Sequence, residues 1–368
     1  MNIDKVFRNM KELTTILILF LTITISCNQQ TQRLPFDNSF IKEKTSIKGK
    51  VNKWTTDTVY YATLPFHSPY STVDGFKVLT SDNTFEFTFN NNDKPFVLLL
   101  TPEKKFLDHR SFLLFEGFTD EYYKGYCKKF FSMPMTTYII EPGSESIVEL
   151  TKASRYGETK IKFLNDNAFN SDYYQTTFDL DQRFDEVVTL AKTREKAIES
   201  LNVKLIELLA DLDKEQKYIS PFLYKYVKAE IQFGAKKEFL RYLLFDHKDE
   251  TALLLRKEIP SDIKEVIEFD KEKVDYPTLI SHEYNEFIEL YLNFKFSEMQ
   301  KELTIYKEFD KEKFDFALKE LPEASKYNYL ANNLLYINCN EQTKELVTSL
   351  VDQYPDGELN DKLLKKYN

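Results

Sequence analysis

Glycine is scarce in this chain: 8 residues in 368, beside 12 prolines, three cysteines, one tryptophan and 8 arginines. So few glycines argue against Gly-rich phosphate loops and low-complexity linkers. The shortage of arginine removes most bidentate clamps for phosphate or carboxylate, because lysine, with 42 residues, binds as a point charge. A formal charge of -9 leaves no basic face for a phosphate backbone, so no nucleic acid is expected as a partner. Catalytic spacing is missing as well. No Cys-x-x-Cys pair occurs, and His282-Glu283-Tyr284-Asn285-Glu286 lacks the second histidine of a zinc helix. Gly143-Ser144-Glu145-Ser146 lacks the final glycine of a nucleophile elbow and reads as a hairpin turn. His67, His109, His247 and His282 are scattered and read as solvated helix ends or loops. No catalytic residue, metal ligand or cofactor is expected.

What the chain does have is an ordered composition, 30% charged and 15% aromatic, at a length that suits about two domains. Its start carries an address. Lys5, Arg8 and Lys11 precede an uncharged run of fourteen residues, Leu13 to Ser26, which is too short to span a bilayer as a helix. A basic start followed by a short apolar core is the pattern of an export signal. Cys27 follows at once, and Thr24-Ile25-Ser26-Cys27 resembles a bacterial lipobox, with Thr24 where leucine is usual. The resemblance implies cleavage before Cys27, acylation of that residue, and attachment to a membrane through the lipid. Removing residues 1–26 leaves 47 basic against 57 acidic residues, and no basic cluster follows Cys27, so the acyl chains must supply the anchorage.

Along the mature chain, 27–44 is polar and aperiodic and reads as a tether. From Ser46 the period is two. Strands are expected at Ser46–Val51, Thr58–Ala62, Thr84–Phe89, Phe96–Leu100, Ser111–Phe115, Thr137–Ile140 and Ser146–Leu150, with turns at Asp74-Gly75, Asn90 to Asp93 and Pro142-Gly143. Beyond about residue 165 the period becomes 3.6. Phe184, Val187, Val188, Ala191, Ile198, Leu201, Leu205, Leu208 and Leu212 predict one long helix. Ser220-Pro221, Pro260-Ser261 and Ser281 mark further helix starts, with helical patterns over Met299–Glu320, Glu323–Ile337, Glu341–Gln353 and Leu359–Tyr367. The expected fold class is therefore α+β: an antiparallel β-sandwich-like domain over 45–165, then an all-α domain over 166–368. Glu268–Pro277 (EFDKEKVDYP) echoes Glu308–Ala317 (EFDKEKFDFA). Two copies cannot build a solenoid and Lys and Glu are abundant here, so the echo reads as compositional.

One family shares this order of parts. Ile47-Lys48-Gly49-Lys50-Val51 with Asp57-Thr58-Val59-Tyr60-Tyr61, then Ile139-Ile140-Glu141-Pro142-Gly143-Ser144, then Ile161-Lys162-Phe163, Asn165 and Asn167-Ala168-Phe169-Asn170, resemble segments of Gram-negative lipoproteins of the TlpA-like thiol–disulfide reductase kind. Those proteins carry an N-terminal β domain, a helical middle and a C-terminal thioredoxin-like domain. The resemblance implies the first two parts over 45–368 and the cell-envelope compartment. The thioredoxin-like domain, with its Cys-x-x-Cys, would begin about where this chain stops. No acidic run follows Cys27, which in such lipoproteins goes with the periplasmic face of the outer membrane.

In an oxidising periplasm Cys127 and Cys339 either pair across a long loop or remain two separate thiols. The function expected is a non-catalytic envelope lipoprotein that binds or scaffolds a protein partner, with a separate thioredoxin-like reductase as one such partner. Two alternatives stand beside it. One is capture of a glycan or peptide by the aromatic stretch Phe112 to Phe131, with Tyr122, Tyr123 and Tyr126. The other is a hydrolase with a site assembled from distant residues.

Overall fold

Period-two alternation over 45–52 buries Thr45, Ile47, Gly49 and Val51 on one side and turns Lys48 and Lys50 outward. That strand, β1 (Thr45–Asn52), lies inside a four-stranded sheet. The computed structural model describes residues 44–52, 57–64, 75–89, 94–101, 136–152, 159–164, 180–305, 309–337 and 339–367. All of them fall in one compact unit, 38–368.

Seven more strands follow: β2 (Thr58–Leu64), β3 (Gly75–Val78), β4 (Thr84–Phe89), β5 (Phe96–Thr101), β6 (Thr136–Ile140), β7 (Glu145–Lys152) and β8 (Thr159–Phe163). They form two sheets, ordered β4-β1-β7-β8 and β3-β2-β5-β6. Aromatic side chains connect the two. The Tyr61 ring on β2 lies 4.7 Å from Phe87 and 5.6 Å from Phe89 on β4, and Phe89 lies 5.4 Å from Phe96 on β5. Edge-on pairs of this kind each add about 0.5–1.5 kcal/mol beyond the area they bury.

Two expectations about the strands are corrected. The arrangement is not wholly antiparallel, because β1 and β7 run parallel, with Ile47 opposite Ser146 and Val51 opposite Leu150. A long stretch of chain separates them, which is what a parallel pair requires. The Pro142-Gly143 turn is present, with Gly143 at φ 76° in the left-handed region, but it does not close a hairpin. It carries the chain from β6 in one sheet to β7 in the other. Thr45 Oγ1 accepts from the Gly143 N–H at 2.8 Å and Ser144 O accepts from the Ser46 N–H at 3.0 Å, fixing the turn beside β1. Strands β3 and β8 were not foreseen, and the expected strand Ser111–Phe115 lies outside the described residues.

The rest is helical: α1 (Leu180–Thr189), α2 (Arg194–Glu215), α3 (Pro221–Arg241), α4 (Lys248–Leu255), α5 (Ser261–Ile267), α6 (Tyr276–Leu279), α7 (His282–Gln300), α8 (Lys311–Glu320), α9 (Glu323–Tyr336), α10 (Glu341–Gln353) and α11 (Asn360–Tyr367). The chain is thus a mixed protein, an N-terminal sheet region followed by a helical one. The long helix expected from Phe184 to Leu212 is two helices. Thr193 interrupts it by adopting an extended backbone and accepting the Lys196 N–H, so α2 starts afresh. The pattern over Met299–Glu320 also breaks. α7 ends at Lys301 in the left-handed conformation, φ 57°, and α8 begins only at Lys311.

Helix α3 is central. Its buried residues run round its whole circumference, from Leu223 and Tyr226 to Phe239 and Leu240, as expected of a helix enclosed by others. Against it α7 brings Tyr284, Phe287 and Tyr291. These rings join Phe233 of α3 and the loop residue Phe269 in one aromatic cluster, with centroids 4.7–6.2 Å apart.

With glycine so rare, the helices end by other means. No described helix has a left-handed glycine at its C-cap. Three are closed by lysines reaching from elsewhere, which satisfy the orphan carbonyls of the last turn. Lys236 donates to Val266 O and Glu268 O at 2.6 and 2.7 Å, Lys271 donates to Glu320 O, and Lys366 donates to the carbonyls of Leu334, Leu335 and Ile337 at 3.1, 2.9 and 2.6 Å. Burial lowers the Lys236 amine to about 8, although the Glu268 carboxylate pulls the other way.

The sheets meet the helices through polar ties. Ser220 at the start of α3 accepts the Leu223 N–H and donates its own hydroxyl to Glu141 at the end of β6. Burial raises the Glu141 carboxyl, and the Ser220 hydrogen bond opposes that. The Tyr276 hydroxyl donates to Pro95 O at 2.6 Å, and the Lys94 ammonium lies 5.3 Å from the centre of the same ring.

Candidate functional site

The densest chemistry among the described residues lies where α3 crosses α7. Gly234 permits the approach. A Cβ there would stand 3.3 Å from Glu283 Oε2 and 3.5 Å from the Phe184 ring, so a side chain would press on the charged groups beside it. One turn on, Lys237 is wholly buried and its Nζ lies 2.7 Å from Glu283 Oε2, 3.1 Å from Glu286 Oε2 and 3.5 Å from Glu238 Oε1. Arg241 reaches Glu238 at 3.1 Å from the exposed side, and His282 Nε2 stands 3.4 Å from Glu286 Oε1.

The four carboxyl groups of this junction do not behave alike. Burial alone would raise Glu286, but Lys237, His282 and Arg241 outweigh it and hold that carboxyl below its ordinary value. Glu230 is displaced the other way. Burial raises it, against the opposing pull of His282 and of hydrogen bonds from Ser281 and the backbone of the α7 start.

A second polar knot lies further along α7. Lys313 of α8, 3% exposed at its side chain, bonds to Glu289 and reaches Asn293 Oδ1 at 3.4 Å, while the Tyr329 hydroxyl of α9 donates to Glu289 Oε2 at 2.6 Å. Glu289 thereby joins three helices. A third tie is Arg194, whose guanidinium lies 2.9 Å from Glu195, 3.7 Å from Glu250 on α4 and 3.5 Å from Asp262 on α5. Nearby, the buried Tyr242 hydroxyl has no hydrogen-bond partner among the described residues, and its ring lies 4.0 Å from that of His247, tilted by 32°.

These groups hold helices together. An amine with none of its surface exposed meets no substrate, and Lys237 is such an amine. Among the described residues, no group of three His, Cys, Asp or Glu side chains is placed to hold a metal ion, and no helix is long and apolar enough to cross a membrane.

The residues singled out in the sequence fare variously. His247 precedes α4, and His282 opens α7 with 19% of its side chain exposed. Cys339 is exposed in the loop before α10. Cys27, Cys127, His67, His109 and the aromatic stretch Phe112 to Phe131 lie outside the described residues. Sequence reasoning passed over Glu230 and Lys237, and met Glu283 and Glu286 only as part of an incomplete zinc helix. Their signal was position: Lys237 and Glu238 directly precede the apolar Phe239-Leu240 pair of α3. No protein-family model matches the chain, and no curated protein matches it.

Proposed function

We propose that the chain is a non-catalytic lipoprotein of the cell envelope, anchored through Cys27 on the periplasmic face of the outer membrane, whose body serves as a binding or scaffold module for a protein partner. In this reading the two sheets form the faces of a β-sandwich, and the helical region is the dock. The resemblance to TlpA-like lipoproteins makes a thioredoxin-fold reductase the first partner to seek.

The observation that carries the reading is where the ionisable groups are spent. Lys237, Lys313, Arg194, Lys236 and Lys366 each tie one helix to another, so the interior charge of the body does structural rather than chemical work. On the outside, α2 turns Val203 and Ile206 to solvent, 63% and 68% exposed and one turn apart, an apolar spot suited to a partner.

Crosslinking in intact cells, purification through a C-terminal tag and mass spectrometry test the partner. Recovery of a thioredoxin-fold protein is the expected result. Recovery of the chain alone with lipid overturns the scaffold reading, as does disulfide reduction by the purified chain itself. Cys27→Ser should move the protein from the membrane to the soluble fraction, and continued membrane association overturns the anchor.

A further inference from the structure

Glu230 lies midway along α3 with 4% of its surface exposed, facing the first turn of α7. The Ser281 hydroxyl donates to its Oε1 at 2.6 Å, and the Glu283 N–H does so at 3.3 Å. Among the described residues no lysine or arginine pairs with it. The cations of the junction are committed elsewhere: Lys237 to Glu238, Glu283 and Glu286, and Arg241 to Glu238.

Beside these, the charge that pulls on Glu230 is that of His282, which is shared with Glu286. From α7 come His282, Glu283 and Glu286, and from α3 itself Lys237, Glu238 and Arg241. The described buried side chains of α1 are Phe184 and Val188, those of α2 are Ala197, Leu201, Leu208 and Leu212, and those of α5 are Ile263 and Ile267, all apolar. At the α6 start, Asp275 is engaged with Lys225 and with Thr278. Four carboxyl groups therefore share two permanent cations; Glu230, Glu238 and Glu283 are buried, while Glu286 and Arg241 reach solvent. Like charges so placed resist ionising together, and a buried charge left uncompensated is strongly destabilising.

We infer that the α3–α7 junction keeps a proton at neutral pH, carried on Glu230, and that loss of this proton on alkalinisation loosens the junction. The direction of the Glu230 displacement agrees. A carboxyl raised in the folded protein contributes stability that is complete below its unfolded value and disappears as pH rises through the folded one. The junction is thus a pH-responsive tie in the centre of the helical region, tight when protonated.

Thermal unfolding of the full chain across pH, with infrared detection of protonated carboxyl, tests this. Glu230→Gln imitates the protonated state. It should match the wild type at acid pH, melt above it at alkaline pH, and weaken the protonated-carboxyl band, to which the buried Glu141 can also contribute. Parallel melting curves, or a band as intense as that of the wild type, overturn the proposal. Ser281→Ala gives an independent reading in a chain that keeps Glu230. Without the hydroxyl that favours the carboxylate, the band should disappear at higher pH than in the wild type, and an unchanged or lower midpoint overturns the assignment.

Discussion

The Lys237 ammonium stands 2.7 Å from the Glu283 carboxylate, with 0% and 5% of the two side chains exposed. Such a pair is worth little against an apolar substitute but much against half of itself, because removing one partner strands the other charge without water. Lys237→Met should therefore cost about 3–5 kcal/mol in urea unfolding at neutral pH. The loss should shrink in acid, where the stranded carboxylates take up protons. A constant loss across pH would show that the ammonium acts through packing alone.

Asp310 and Asp270 occupy equivalent places in the two EFDKEK segments, and the structure gives the echo a local meaning. Each aspartate follows a phenylalanine and caps a helical turn: Asp310 accepts the Lys313 N–H at 2.9 Å, and Asp270 accepts the Glu272 N–H at 3.1 Å. In the second copy Phe309 packs on Phe314, with rings 6.3 Å apart, as a hydrophobic staple, and α8 runs for ten residues. In the first copy Val274 replaces that phenylalanine and Asp275 caps a new helix ahead of Pro277, so only Lys271–Lys273 coil. Asp310→Ala should cost about 1 kcal/mol and Asp270→Ala clearly less, as read from chemical denaturation.

Legibility in the sequence followed range. Thr84–Phe89 and Glu341–Gln353 are found at the residues where their periodicity placed them, and Ser220-Pro221 and Ser281 cap helices, because each of these signals is complete within a few residues. Thr193 carried the same kind of signal but lay inside a continuous apolar stripe, and the stripe prevailed in the reading. The pairing of β1 with β7, and the passage from β6 to a different sheet at Gly143, depend on contacts across about a hundred residues that no local pattern encodes. The α3–α7 junction was hidden for a related reason. Glu and Lys at helical spacing look alike whether they face water or one another, and only the crossing of the two helices distinguishes the cases.

Gly49 on β1 lies beneath the Phe85 ring of β4, and an added Cβ would overlap both that ring and Val148 on β7. Its partners stand opposite it on the two neighbouring strands and both are buried, so neither can retreat easily. Gly49→Ala should destabilise the fold by about 2 kcal/mol, and Phe85→Leu should restore part of that loss in the double variant. Additive losses would mean that the ring is not what the methyl meets.

Lys366 on α11 closes the end of α9 through three carbonyls, with the Tyr367 hydroxyl donating to Leu334 O at 2.6 Å beside it. Lys366→Met should cost about 1 kcal/mol and release the amides of the last turn of α9 to faster hydrogen exchange. Exchange unchanged in that turn would assign the closure to Tyr367.

The lysines that close helices and fill the α3–α7 crossing also divide the chain's amines by reactivity. Reagents that acylate or reductively methylate amines must reach them from solvent, and Lys237 and Lys313 are buried while the protein is folded. Lys366 is held against three carbonyl oxygens and should react late, after the many lysines of the helix surfaces. The order in which the lysines are modified is therefore a fingerprint of the native state, and early labelling of Lys237 would report that the helical body has opened.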